Sequence, residues 1–122
     1  MSQKRVFGKY IQQFPEKVRK IALNLRVLIL KLIPRVSETV HPGMKWITYG
    51  TPRSIIAIKP EQKCVNLFFF EGIRLRDPNH ILKGSGARLR FIQVTDVAKS
   101  RDIITDFIEQ AYFMQVRKKI RF

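Results

Sequence analysis

Gly84-Ser85-Gly86 leads through Ala87 into Arg88-Leu89-Arg90, and a glycine bend followed by two arginines two positions apart is suited to holding an anion. Glycines let backbone N–H groups converge in a concave nest, and side chains two apart on a strand project to one face. Arg74 and Arg76 repeat the spacing just upstream. The bend is not followed by Lys-Ser/Thr and opens a strand, not a helix, so it is neither a Walker loop nor a dinucleotide fingerprint. With Trp46 and Tyr49 as aromatic walls, the candidate ligand set is Trp46, Tyr49, Gly84, Gly86, Arg88 and Arg90. The expected ligand is an anionic small molecule or a partner protein segment.

Other chemistries are poorly supplied. His41, His80 and Cys64 lack the Cys-x-x-Cys or His-x-x-x-His spacing that closes a zinc site. Asp102, Asp106 and Glu109 fall on one helix face, as a loosely held Fe²⁺ would need, but acidic residues early in a helix also answer its dipole. No metal site, cofactor or catalytic residue is expected, and a binding domain is preferred to an enzyme. Trp46, Tyr49, Phe68 and Phe70 beside strand arginines offer what single-strand nucleic-acid binders use, although the RRM consensus is absent. In the run from Cys64 to Phe70, Val65, Leu67 and Phe69 alternate with Phe68 and Phe70, so one side could be core and the other a ligand floor. The expectation is that helices cover both sides and make the phenylalanines core.

The elements that must position these residues follow from periodicity. Val18, Ile21, Ala22, Leu25, Leu28, Ile29 and Leu32 recur at three- and four-residue steps, which predicts a helix over 15–33 with Lys17, Arg19, Lys20, Arg26 and Lys31 on its open side. A linker over 35–43 precedes strands over 44–49, 53–59 and 64–70, separated by turn residues. A helical turn is expected over 80–82 and a fourth strand over 88–94. Ser100 caps a last helix reaching Lys119, with Asp102 and Asp106 early and Arg117, Lys118 and Lys119 late. These elements predict one α+β domain over 1–122: a two-layer arrangement in which an antiparallel sheet of about four to five strands packs with N- and C-terminal helices.

The 122 residues carry 24 Lys and Arg against 9 Asp and Glu, a formal charge of +15. Such a field attracts polyanions. Weak, sequence-independent nucleic-acid binding through the basic helix side and the cluster Arg117, Lys118, Lys119 and Arg121 is therefore an alternative to the discrete anion site. No apolar stretch is long enough to span a bilayer, and the first thirteen residues do not have the form of a secretory signal. One cysteine gives no internal disulfide. The expectation is a cytoplasmic protein without a membrane partner.

The order of motifs is also familiar: Phe14-Pro15-Glu16-Lys17-Val18-Arg19, a Pro42-Gly43 turn, Lys45-Trp46, Tyr49-Gly50 and Asn66-Leu67-Phe68-Phe69-Phe70. Arg74-Leu75, Asp77-Pro78, Leu82 and the glycine bend follow in turn. Over about residues 14–111 this resembles the YdhG-like family, small intracellular proteins of no settled activity. The resemblance implies a compact α+β domain and, since some members are described as frataxin-like iron chaperones, an iron-carrier role resting here on Asp102, Asp106 and Glu109. It implies no catalytic set. The sequence departs from the family pattern at Ala87, where a basic residue usually stands.

Overall fold

A computed structural model describes residues 2–119. Val6, Phe7, Tyr10 and Ile11 recur at helical steps, and the Ser2 hydroxyl accepts the Arg5 N–H at 3.2 Å, so Gln3–Ile11 forms a helix, α1, additional to the two expected. Phe7 and Ile11 are buried. The expected second helix, α2, spans Glu16–Leu32 and buries Val18, Ile21, Ala22, Leu25, Leu28 and Ile29. It stops where Ile33 turns extended ahead of Pro34, as proline requires of the residue before it.

The presumed linker contains a strand, β1 (Ser37–His41). β2 (Trp46–Gly50), β3 (Ser54–Pro60) and β4 (Val65–Phe69) follow near the expected positions. The expected helical turn over 80–82 is not formed. Instead a 3-10 turn occupies Gly72–Arg74, and the Asp77 carboxylate accepts the N–H groups of Ile81 and Leu82, both at 2.8 Å, holding the chain out of helix. β5 (Arg90–Val94) and α3 (Arg101–Lys119) complete the chain. The strands pair in sequence order, each antiparallel to the next, as a five-stranded meander.

Register places Ile47, Ile58, Leu67 and Ile92 in one row, and Tyr49, Ile56 and Phe69 in the next. Apart from Ile92, which is nearly so, these are fully buried, and they share one cluster with the apolar residues of α1, α2 and α3. All three helices thus lie on one side of the sheet. The fold is the two-layer α+β arrangement, and among the described residues no helix lies over its other sheet face.

A polar network ties α1, α2, β1 and β2 together. The Arg26 guanidinium donates to both Glu38 oxygens, at 2.8 and 3.0 Å, and Tyr49 Oη donates to Glu38 Oε2 at 2.6 Å. The Glu38 N–H is accepted by Gln3 Oε1 at 2.8 Å, and Arg26 lies 5.2 Å from the Phe7 ring centroid. A buried carboxylate survives only when paired and hydrogen-bonded, and Glu38 is both. Arg26 is consequently an internal partner, not a member of the open basic side of α2.

Candidate ligand-binding face of the sheet

Strand alternation decides what the uncovered side presents. One outward row runs Thr39, Thr48, Ala57, Phe68, Phe91, with Lys83 bridged to Phe91 at the edge. The neighbouring row holds His41 opposite Trp46, and Lys59, Asn66 and Gln93 in line. Phe70 stands just past the end of β4, its N–H donated to the Ile55 carbonyl. Trp46, Phe68, Phe70 and Phe91 are all half-buried. Their rings form a continuous aromatic surface: Phe91 to Phe68 at 5.0 Å, Phe68 to Trp46 at 5.7 Å, Trp46 to Phe70 at 5.4 Å between centroids.

The polar side chains on the strands beside these rings are cations, amides and hydroxyls, and a carboxylate, Glu71, stands past the end of β4 next to Phe70. Lys59 reaches the Met44 carbonyl at 3.3 Å, and His41 Nε2 lies 2.9 Å from Thr48 Oγ1. Among the outward positions of the five strands there is no carboxylate, since Glu38, the one acidic residue within a strand, points inward. The aromatic surface runs into a groove of about 530 Å³ beside Phe70, lined also by Arg53, Ser54, Glu71, Gly86, Arg88 and Gln115. Flat apolar faces bordered by cations and hydrogen-bonding amides can take planar rings that carry negative charge.

The six residues singled out from sequence divide here. Trp46 is central to the face, half-buried against Phe68 and Phe70, not against α2. Tyr49, three positions along the same strand, points to the core and is fully buried, so it cannot wall a ligand site with Trp46. Burial first, then the charge and hydrogen bond of Glu38, push its phenol far above the ordinary range, with Arg26 opposing. Gly84 has a φ of 126°, a conformation that requires glycine, whereas Gly86 has neither a positive φ nor a close neighbour. Arg90 Nη1 donates to the carbonyls of Gly86 at 2.6 Å and Leu89 at 2.7 Å, bracing the bend instead of facing a ligand. Arg88 is exposed in the groove and reaches the aromatic surface through Phe70. The expected set therefore keeps Trp46, Gly86 and Arg88 on one continuous surface, and loses Tyr49, Gly84 and Arg90 to structural roles.

Phe68 and Phe70, expected in the core, lie on the open face, and Phe91, Lys59, Lys83 and Arg53 lie on or beside it without belonging to the expected set. Their signal lay in the phase of the alternation: Phe68 is out of step with Val65, Leu67 and Phe69, and Phe91 with Ile92 and Val94. On α3, Asp102, Asp106 and Glu109 are exposed, and Asp106 accepts the Gln110 amide at 2.9 Å. Among the described residues no group of three or more His, Cys, Asp and Glu comes together to hold a metal ion. Cys64 is buried, with Gln93 Nε2 at 3.4 Å from its sulfur. Of the C-terminal basic cluster Arg117 is described, 5.9 Å from the Phe113 centroid; the side chains of Lys118 and Lys119, and Arg121 entirely, lie outside the described residues. No helix among the described residues is long and apolar enough to cross a membrane. In comparisons with known proteins, no family model, no curated protein and no solved structure matches the chain.

Proposed function

We propose that this domain binds single-stranded nucleic acid on the open face of its sheet. The observation that carries the reading is the aromatic quartet Trp46, Phe68, Phe70 and Phe91 on a sheet face whose strand positions hold Lys59, amides and hydroxyls and no carboxylate, with Lys83 at its edge. Bases unstack from a single strand and lie on aromatic rings whatever their identity, while cations at the margin take the phosphates. A second reading, a small phosphate-bearing ligand in the groove, is favoured by exposed Arg53 and Arg88 flanking Phe70. Membership of the YdhG-like family is proposed on the order of motifs alone. The iron-carrier role it implies has less support, because its carboxylates are exposed and one is engaged by Gln110.

Trp46 is the single tryptophan of the chain, so its fluorescence reports on the face directly. Titration with oligothymidine should quench it, and Phe68→Ala should weaken binding by about 5- to 150-fold, the worth of one stacked base at ~1–3 kcal/mol. Arg88→Ala should abolish binding of a small phosphate ligand if the groove is a discrete site, and only slightly weaken the oligonucleotide. Oligonucleotide binding that leaves Trp46 emission unchanged and is indifferent to Phe68→Ala would place the ligand elsewhere.

A further inference from the structure

The sheet face accounts for only part of the cationic surplus. α1 and α2 expose Lys4, Arg5, Lys9, Lys17, Lys20 and Lys31, and the only carboxylate in these two helices is Glu16, itself exposed and 3.7 Å from Lys20. α3, in the same layer, mixes signs: it exposes Asp102, Asp106 and Glu109 together with Arg101 and Arg117. The charge is therefore not spread evenly over the helix layer but gathered on α1 and α2. These helices pack on the inward side of the sheet, so their exposed sides lie across the core from Trp46.

We infer that the α1–α2 surface is a second nucleic-acid site, which takes the phosphate backbone of a duplex while the sheet takes an unpaired strand, so that one domain bridges paired and unpaired segments. The inference rests on the sheet-face reading for its single-strand half. α1 and α2 present no exposed aromatic residue on which an unpaired base could stack; Phe7 is buried and Tyr10 is packed against the core. Leu23 and Val27 are exposed between Lys20 and Lys31 but offer no ring to a base; a cationic surface without aromatics reads backbone charge, and a duplex, with one charge per ~1.7 Å of axis, offers the denser array. The two sites do not compete. A helix is ~10–12 Å across and packs ~10 Å from a sheet, so the bound segments sit roughly 20 Å apart, about twice the screening length of ~10 Å at 0.1 M salt.

The test immobilises oligothymidine on beads, adds protein, and asks whether a labelled closed hairpin duplex is retained. Wild-type protein should retain it, with one protein per ternary complex by sedimentation. The triple variant Lys17→Gln, Lys20→Gln, Lys31→Gln, at exposed helix positions, should bind oligothymidine within about twofold of wild type by Trp46 quenching yet lose the duplex, and its salt slope for duplex should fall by about two to three. Retention of duplex by the variant at the wild-type level overturns the inference, as does failure of wild type to retain duplex while Trp46 shows oligothymidine bound. Absence of Trp46 quenching would refute the sheet-face reading instead, and the duplex titration of wild type against variant then still decides whether α1 and α2 form a site.

Discussion

At the scale of single residues, the sharpest contrast is between Trp46 and Tyr49, two aromatic side chains three positions apart on β2 with opposite fates. Trp46 rests half-buried on two phenylalanine edges, where it is available to a ligand. Tyr49 is sealed in the core, donating to a carboxylate that Arg26 also holds. Hydrogen bonds to charged groups are worth ~1.5–3 kcal/mol, so Tyr49→Phe should destabilise by that amount, and Glu38→Ala by about 3–5 kcal/mol because it leaves Arg26 uncompensated. In the unfolded chain the phenol ionises near pH ~10. Burial raises it in the fold, so its contribution to stability is full below about pH 10 and declines as pH climbs toward the raised folded value, by ~1.4 kcal/mol per unit for one proton. Urea denaturation from pH 8 to pH 11 should show a steeper alkaline decline for wild type than for Tyr49→Phe. Parallel profiles would mean that the phenol ionises in the folded protein too.

At the scale of elements, the sheet's edges and the loop before β5 matter most. β1 is flanked by α1 and β5 is met by the Lys83 bridge, so neither edge is left as a long open template for another chain. The 3-10 turn at Gly72–Arg74 packs directly on β5: a Cβ at Gly72 would collide with the Arg90 Cβ. Gly72→Ala should therefore cost about 1–3 kcal/mol, the usual penalty for forcing extra volume into a packed site. Because Arg90 also braces the bend that carries Arg88, the same change should weaken phosphate binding in the groove more than oligothymidine binding on the rings. Thermal melts together with the two titrations check this, and an unchanged melting temperature would show that the turn moves aside freely.

For the whole molecule, +15 on 122 residues is a destabilising self-repulsion as well as an attraction for polyanions. Added salt should raise the melting temperature of the free protein while lowering its affinity for oligonucleotide, since one effect screens repulsion within the fold and the other restores counterions to the strand. Stacking on Trp46 and Phe68 is far less salt-sensitive than phosphate pairing. A residual affinity should therefore persist where the electrostatic part has been screened away, and it should vanish in Phe68→Ala. If wild type and Phe68→Ala lose all binding at the same salt, charge alone holds the strand.

Local signals carried the helices α2 and α3, four strands and the α+β class, because each rests on short-range periodicity: apolar steps of three and four from Val18 to Leu32, turn residues at Gly50 and Pro60, and charges placed along the α3 dipole. β1 was hidden because one of its two inward residues is Glu38, which reads as polar until Arg26 and Tyr49 are brought to it from other elements. α1 was legible in Phe7, Tyr10 and Ile11 with the Ser2 cap, although nothing local says that so short a helix finds a core to pack on. The site was half visible. Alternation separates Phe68 and Phe70 from Leu67 and Phe69, and Trp46 from Tyr49, but it does not say which side the helices will cover. That depends on all three helices folding back to the same side, a decision made by the combined burial of Ile47, Ile58, Leu67 and Ile92 beneath them. Only the tertiary structure could make Tyr49 a core residue, turn Arg90 back onto its own loop, and leave Trp46, Phe68, Phe70 and Phe91 together on an open face.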